Sequence, residues 1–221
     1  MDEVEEEAMS PGEREIFKAV EESLADLPGK TPLPEYEDAV CVASGRLGEG
    51  TPRQIFAANF EAVGGRVLAR VEDLASFLLE NDHGAGYCDP ALKGAVGAPL
   101  EEAGLKVDYE YERDRCDEYL FGVTLASGAI AESGSVVLND DDTSDRLAAL
   151  TPWVHVAVLP SEGAVHLTIP DAIAALGGSP NVVWVTGPSK TADVEGILIE
   201  GVHGPGVQIC LMPVDDRPAG R

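Results

Sequence analysis

The residues best suited to chemistry follow an apolar run in the C-terminal part of the chain. Residues 182–186 are strand-like, and a Gly-Pro-Ser turn follows at residues 187–189. This pattern predicts a helix that begins at the turn. The first backbone N–H groups of a helix lack intrahelical partners, and the helix dipole attracts negative charge there. Lys190 falls in this turn and is the only lysine after Lys106, so the segment predicts a site for a carboxylate or phosphate group.

Neighbouring residues either complete this site or have an ordinary structural role. Thr191 and Asp193 fall in the first turn of the predicted helix, where Asp193 would compete with an incoming anion. The alternative is that Ser189, Thr191 and Asp193 only cap and polarise an ordinary helix. Downstream, His203 is followed directly by Gly204. Because the glycine gives the imidazole little cover, we expect His203 to face a cleft.

A second candidate turn spans residues 124–135 and consists mostly of small residues, which allow a ligand or another backbone to come close. Glu132 is the one charged residue between Phe121 and Leu138. A carboxylate in such a run is either buried with hydrogen-bonded partners or functional, and both interpretations stay open.

The remaining histidines and cysteines predict no metal centre. His155 lies in an alternating apolar run, which favours a strand histidine with a hydrogen-bond partner. His83 and His166 have no further ligands at a recognisable metal spacing. The cysteines form no C-x-x-C pair, so we expect free thiols and neither zinc nor an iron–sulfur cluster in this chain. These cysteines are Cys41, Cys88, Cys116 and Cys210.

The elements that position these residues alternate between helices and short valine-rich strands. Helices are predicted at residues 54–63, 74–80, 144–150, 169–176 and 191–201, and strands at 66–71, 119–124, 135–138, 153–159, 181–186 and 207–212. This order favours an α/β domain over residues 51–221, with a largely parallel sheet flanked by helices. Residues 1–50 are expected to form an acidic N-terminal helix with apolar residues from Ile16 to Leu27, followed by a proline-rich arm.

The charge balance narrows the possible partners. The 221 residues contain 40 Asp and Glu against 15 Lys and Arg, a formal net charge of −25. Such a surface repels nucleic acids and anionic lipid headgroups, so we expect no nucleic-acid partner and no membrane insertion. Self-repulsion of this size is relieved when salt screens it, which favours a halophile-like, salt-adapted protein. The acidic N-terminus and the lack of an apolar run of about 20 residues indicate the cytoplasm.

Three segments together carry a family resemblance. Residues 131–138, 186–195 and 201–205, in this order and spacing, resemble the LUD domain of proteins like lactate utilization protein C. The resemblance covers roughly residues 52–213. Ser133 departs from the family pattern, which often has threonine there, and residues 88–118 match only loosely.

The resemblance implies a fold similar to ribose-5-phosphate isomerase and CoA-transferase domains. It also implies a role in oxidising L-lactate to pyruvate alongside iron–sulfur and cysteine-rich partner subunits. A chain without clusters of its own would leave electron transfer to those partners.

Three hypotheses for function remain at this point. The first is an accessory subunit of a lactate-oxidising system that binds a small anionic, carboxylate-bearing ligand. The second is a stand-alone acyl- or phosphate-transfer enzyme with Glu132 as nucleophile or base. The third is an interaction module whose turns only pack tightly. For the first, the candidate ligand-binding residues are Thr124, Glu132, Ser133, Gly134, Ser135, Gly187, Pro188, Ser189, Lys190, Thr191, Asp193, His203 and Gly204.

Overall fold

The computed structural model describes residues 10–25, 47–139, 145–160, 164–176, 181–192 and 197–212. The chain divides into two compact units, Met1–Val40 and Cys41–Arg221. In the first unit, helix α1 spans Pro11–Leu24. Ser10 caps its N-terminus, and the hydroxyl of Ser10 accepts a hydrogen bond from the backbone N–H of Glu13. Helix α1 was predicted, whereas Leu27 and the proline-rich arm lie outside the described residues. The domain boundary at residue 50 stays a prediction.

The second unit contains the remaining elements. Its strands are β1 Arg66–Leu68, β2 Ala85–Cys88, β3 Lys106–Asp108, β4 Phe121–Leu125, β5 Gly128–Ile130, β6 Ser135–Asn139, β7 Val154–Val158, β8 Ala164–His166, β9 Val182–Val185, β10 Lys190–Ala192, β11 Leu198–Glu200 and β12 Val207–Leu211. Its α-helices are α2 Pro52–Ala62, α3 Val71–Glu80, α4 Ala98–Glu102, α5 Leu147–Leu150 and α6 Ile169–Leu176. Shorter helical turns lie at Pro90–Leu92, Lys93–Gly97 and Arg113–Glu118.

The main sheet has six strands in the order β1-β12-β7-β4-β2-β3. Every neighbouring pair in it is parallel. The central strand β7 is buried along its whole length, and β4 is buried except at Leu125. Central strands of a parallel sheet are covered on both faces, which explains why these two strands are mostly apolar. Their polar residues, Thr124 and His155, are buried and bonded to each other.

Two cores cover the two faces of the main sheet. On one face, α3 and α4 contribute Leu74, Leu78 and Leu100 to a core that includes Phe121 and Val156 of the sheet. On the other face, a second core combines apolar residues of α2, of the main sheet and of β5 and β6; its members include Phe56, Phe60, Ala157, Cys210, Ala129 and Val136. The main sheet therefore lies between a helical layer and a layer made of α2 and more strands.

That additional layer is a second sheet of four strands in the order β8-β5-β6-β9. Its β5–β6 and β6–β9 pairs are antiparallel, and β5–β8 is parallel. Helix α6 packs on its outer face, where Ala172 joins Ile130 and Val137. Strands β10 and β11 form a separate antiparallel hairpin.

The predicted α/β class and the largely parallel sheet flanked by helices agree with the structure. The predicted helix over residues 191–201 is wrong at both ends, because residues 190–192 and 198–200 are the paired strands β10 and β11. Residues 193–196 lie outside the described part of the chain. Of the helices that the structure describes, none has the length and apolar character needed to cross a membrane.

Candidate functional site

A chain of three hydroxyl groups joins the two small-residue turns. Strands β6 and β9 pair with Val136 opposite Val185, which places Ser135 beside Thr186. The Oγ of Ser135 lies 2.6 Å from the Oγ1 of Thr186 and 2.7 Å from the Oγ of Ser133. We call Ser133, Ser135 and Thr186 the hydroxyl chain. The structure therefore brings together two segments that are about 50 residues apart in the sequence.

Both turns lie against the C-terminal half of α2, and each does so through a glycine with a left-handed backbone. Gly134 has a φ of 63°, and a Cβ added there would lie 2.4 Å from the backbone nitrogen of Phe60. Gly187 has a φ of 71°, and its Cβ would lie 2.5 Å from the carbonyl oxygen of Val63. The φ value and the close approach both require glycine. The side-chain amide of Asn59 adds a hydrogen bond of 2.7 Å to the carbonyl of Ala131.

Lys190 lies on the hairpin and not at the start of a helix, so the predicted helix N-terminal anion site is wrong. Its Nζ donates to the carbonyl oxygen of Val63 at 3.4 Å and lies 3.5 Å from a carboxylate oxygen of Glu200. Val63 is the C-cap residue of α2. An ammonium group at a helix C-terminus interacts favourably with the dipole and the last carbonyl groups. The lysine therefore has a structural role at the end of α2, although 39% of its side chain remains exposed.

The amide groups expected to be available after Gly187 are partly used by the protein. The backbone N–H of Ser189 donates to the carbonyl of Pro205 at 2.9 Å, and the carbonyl of Ser189 accepts from the N–H of Gly201 at 2.9 Å. Pro188 has no N–H to offer. The segment after Gly187 is thus tied to the loop of residues 201–205 in place of forming a first helical turn. Thr191 lies within β10, and Asp193 lies outside the described residues.

Glu132 is buried, with 2% of its surface exposed. Its Oε1 accepts a hydrogen bond of 2.6 Å from the backbone N–H of Ile169, the first residue of α6. Its Oε2 is also buried and has no hydrogen-bond partner among the described residues. The sequence allowed either a buried carboxylate with a hydrogen-bonded partner or a functional one. The structure shows that Glu132 is buried and has such a partner. It lies at the N-terminal end of α6, where negative charge is favoured.

Thr124 belongs to a different network in the centre of the main sheet. Its Oγ1 lies 2.8 Å from Nε2 of His155, and Nδ1 of His155 lies 2.9 Å from Oε1 of Gln208. Because an amide oxygen only accepts, Nδ1 carries the proton and Nε2 accepts from the threonine hydroxyl. Burial lowers the pKa of His155 to about 4. The predicted strand histidine is confirmed, and its partner Gln208 was missed by the sequence analysis.

His203 and Gly204 line a separate cavity of about 450 Å³. We call it the Trp153 cleft; its lining also includes Asp117, Leu120, Leu150, Trp153 and Val202. Leu120 and Trp153 directly precede β4 and β7, so the cleft lies at the amino ends of the central strands. The exposed His203 faces a cleft, as the sequence analysis expected. Its lining does not include the hydroxyl chain or Lys190.

The cysteines and acidic residues of the described ranges form no metal centre. Within those ranges, no three side chains of His, Cys, Asp or Glu are grouped so that they could hold a metal ion. Cys88, Cys116 and Cys210 are free thiols, whereas Cys41 lies outside the described residues. Burial raises the pKa of Cys88 and of Cys210 to about 12, which keeps both thiols protonated and weakly reactive near neutral pH.

A family model described as the LUD domain matches residues 92–212, a range that contains the hydroxyl chain, Lys190 and the Trp153 cleft. The chain belongs to the LUD domain family. A lactate utilization protein C from an Exiguobacterium species is 37% identical in an alignment of 160 residues that covers 67% of this chain and 69% of that protein. Residues outside the matched range, such as Asn59 of α2, contribute to the surroundings of the LUD-domain turns.

Other relatives match over a shorter part of their length. Lactate utilization protein C from Halalkalibacterium halodurans is 32% identical over 111 residues, 47% of this chain and 48% of that protein. The one from Bacillus licheniformis is 36% identical over 110 residues, 47% of this chain and 45% of that protein. The matched regions thus span about half the length of these relatives.

One solved structure shows the same fold. It is the crystal structure of a DUF162 family protein from Deinococcus radiodurans, with a TM-score of 0.54 and 19% sequence identity. The match covers 74% of this chain and 99% of that chain. The similarity shows that this chain and the Deinococcus radiodurans protein share a fold.

Proposed function

We propose that this LUD-domain protein takes part in lactate utilization, the oxidation of L-lactate to pyruvate, as an accessory component without its own redox centre. The observation that carries the proposal is the alignment with relatives named lactate utilization protein C, which reaches 37% identity over 160 residues. We further propose that its role is to bind a carboxylate-bearing ligand in the cytoplasm.

The hydroxyl chain and Lys190 are the proposed carboxylate site. Serine and threonine hydroxyls donate hydrogen bonds to carboxylate oxygens, and an ammonium group supplies the opposite charge. Ser135 and Thr186 are held in place by strand pairing. Lys190 donates to the carbonyl oxygen of Val63, against which the backbone of Gly187 also packs. An ammonium group has three N–H donors, so Lys190 can bind an anion while it caps α2.

Electron transfer is assigned to other subunits in this proposal. Lactate oxidation removes two electrons, and within the described ranges the cysteines Cys88, Cys116 and Cys210 belong to no metal-holding group. Iron–sulfur and cysteine-rich partner subunits would therefore carry the electrons. Neighbouring genes that encode iron–sulfur and cysteine-rich proteins would support this assignment.

A second candidate function is acyl or phosphate transfer with Glu132 as nucleophile or base. It is favoured by the buried Oε2 of Glu132, which has no hydrogen-bond partner among the described residues. As a nucleophile, the carboxylate would attack the carbonyl carbon of a CoA thioester and form an acyl–glutamyl anhydride, while the C–S bond breaks and the CoA thiolate leaves. Mass spectrometry of the protein after incubation with CoA thioesters tests this role, with Glu132→Gln as the control. An unmodified Glu132 peptide in the native protein rejects it.

A growth experiment tests the main proposal. We expect a strain without the gene to grow normally on pyruvate and poorly on L-lactate, and the native gene to restore growth on L-lactate. A Lys190→Glu gene should fail to restore it, whereas Lys106→Glu makes the same charge change at an exposed strand residue outside the site and should succeed. Unimpaired growth of the deletion strain on L-lactate would reject a role in lactate utilization.

A further inference from the structure

The Trp153 cleft has the dimensions of a small-molecule site. Its volume of about 450 Å³ falls in the range of ligand pockets, roughly 300–1,000 Å³. It is formed by residues far apart in the sequence, from the loop before β4, the loop before β7 and the segment 201–204. Leu120, Leu150 and Val202 supply apolar walls and are themselves substantially exposed.

The indole of Trp153 is a fixed flat surface in this cleft. A Cβ added to Gly201 would lie 2.3 Å from the indole ring, and one added to Gly206 would lie 2.4 Å from it. The ring therefore rests against two glycine backbones, which leave no room for any larger residue. Even so, 47% of Trp153 is exposed. A large aromatic side chain that is held from behind and remains open in front is suited to stacking with a flat ligand.

The charges around the cleft favour a cation. Among the residues that the structure describes, the lining contains the carboxylate of Asp117 and no lysine or arginine. The nearby Arg115 is neutralised by Asp108, Glu112 and Glu118, with its nitrogens 2.8–3.3 Å from their oxygens. The whole chain carries a net charge of −25, so the surrounding field also attracts positive charge. The face of an indole ring adds an attraction for cations, stronger than that of tyrosine or phenylalanine.

We propose that the Trp153 cleft binds a small organic cation with a flat aromatic ring. The ring stacks on the open face of Trp153 and the positive charge lies towards Asp117. The apolar walls of Leu120, Leu150 and Val202 contact the edges of the ring. This ligand has the opposite charge to the carboxylate assigned to the hydroxyl chain and Lys190. The proposal of a cation site in the Trp153 cleft and the proposal of a carboxylate site at Lys190 are therefore tested independently.

Three probes of nearly the same shape isolate the effect of charge. 1-Methylnicotinamide is a flat cation, nicotinamide is neutral, and nicotinate is an anion at pH 7.5. Isothermal titration calorimetry on the full chain at low salt should give a Kd for 1-methylnicotinamide about tenfold below that for nicotinamide. Nicotinate should bind more weakly than either. Equal affinity for the cation and the neutral ring, tighter binding of nicotinate, or no binding of the cation would each overturn the proposal.

Variants tie the binding to this cleft. Trp153→Ala should abolish binding of 1-methylnicotinamide, and Asp117→Asn should reduce its preference over nicotinamide several-fold. Gly206→Ala moves the indole without changing the charges and should also weaken binding. Trp184→Phe changes the other tryptophan, on β9, and should leave the affinity unchanged. An NMR spectrum in which the probe shifts the indole N–H of Trp184 and not that of Trp153 would also overturn the proposal.

Discussion

The carboxylate of Glu132 and the backbone N–H of Ile169 form a hydrogen bond of 2.6 Å between the β5–β6 turn and the start of α6. The bond is buried, since 2% of Glu132 is exposed. The turn that presents Ser133 and Ser135 is therefore fixed at one side by α6 and at the other by Asn59 of α2. A buried acidic residue here orders the turn that carries the proposed ligand-binding hydroxyls.

Substitutions of Glu132 should distinguish the stability contributed by its acceptor oxygen from the stability contributed by its negative charge. Glu132→Ala leaves the N–H of Ile169 without its acceptor, so we expect unfolding free energy to fall by about 1–3 kcal/mol. Glu132→Gln keeps a carbonyl oxygen and should cost less. Urea denaturation of both variants measures the difference. If the glutamine variant loses as much stability as the alanine variant, the negative charge and not the acceptor is what α6 requires.

Gly134 should tolerate no side chain. An alanine there adopts a left-handed backbone, which costs roughly 1–2 kcal/mol, and its Cβ meets the backbone nitrogen of Phe60. We expect Gly134→Ala to lower the unfolding free energy by more than about 2 kcal/mol. Gly94→Ala is the control, because a Cβ at Gly94 meets no atom within 4 Å. Similar losses in the two variants would show that the packing of the turn on α2 is not tight.

Acid should destabilise the fold through His155. Its pKa is lowered to about 4 in the folded protein, whereas an unfolded histidine titrates near 6.5. Between these values the unfolded chain binds the proton and the folded chain does not, so stability is complete above pH 6.5 and falls as the pH drops towards 4. We expect a contribution of about 2 kcal/mol to be lost between pH 7 and pH 5.

Denaturation curves at several pH values check this with His155→Gln, which removes the titrating group. The variant is expected to be less stable overall, but its stability should change less between pH 7 and pH 5. An unchanged slope in the variant would mean that other groups account for the acid sensitivity.

Salt should raise the melting temperature. With a net charge of −25, the folded chain repels itself, and raising the salt from 0.1 M to 1 M shortens the Debye length from about 10 Å to about 3 Å. Sodium and potassium chloride should act alike if screening is the cause. A melting temperature that is the same at both concentrations would refute the salt-adapted interpretation.

The fold class could be predicted because burial leaves a direct pattern in the sequence. Strands β4, β7 and β12 are mostly apolar and buried along almost their whole length because both faces of the main sheet are covered. The hairpin of β10 and β11 could not be predicted in the same way. Residues 187–191 carry the local signals of a helix start, but the positive φ of Gly187 and the bond from Ser189 to Pro205 favour a different path.

Site residues could be predicted only where a single stretch of sequence contained the pattern that identifies them. The run of small residues over 124–135 identified Ser135 as a candidate, and the antiparallel pairing of β6 and β9 places Thr186 beside it. For the Trp153 cleft the only local signal was the glycine after His203, because Asp117, Trp153 and His203 lie on three separate segments of the chain. They meet only when parallel strands bring their amino ends to one edge. Long-range pairing of this kind has no local signature in a single sequence.

The central claim is that Lys190 and the hydroxyl chain bind a carboxylate ligand, and calorimetric titration of the native protein with pyruvate and with L-lactate tests it most directly. We predict saturable binding of at least one of them, abolished by Lys190→Glu and by Ser135→Ala and retained by Lys106→Glu, with circular dichroism showing that each variant is folded. Absence of binding to the native protein, or binding that survives both site substitutions, would contradict the claim.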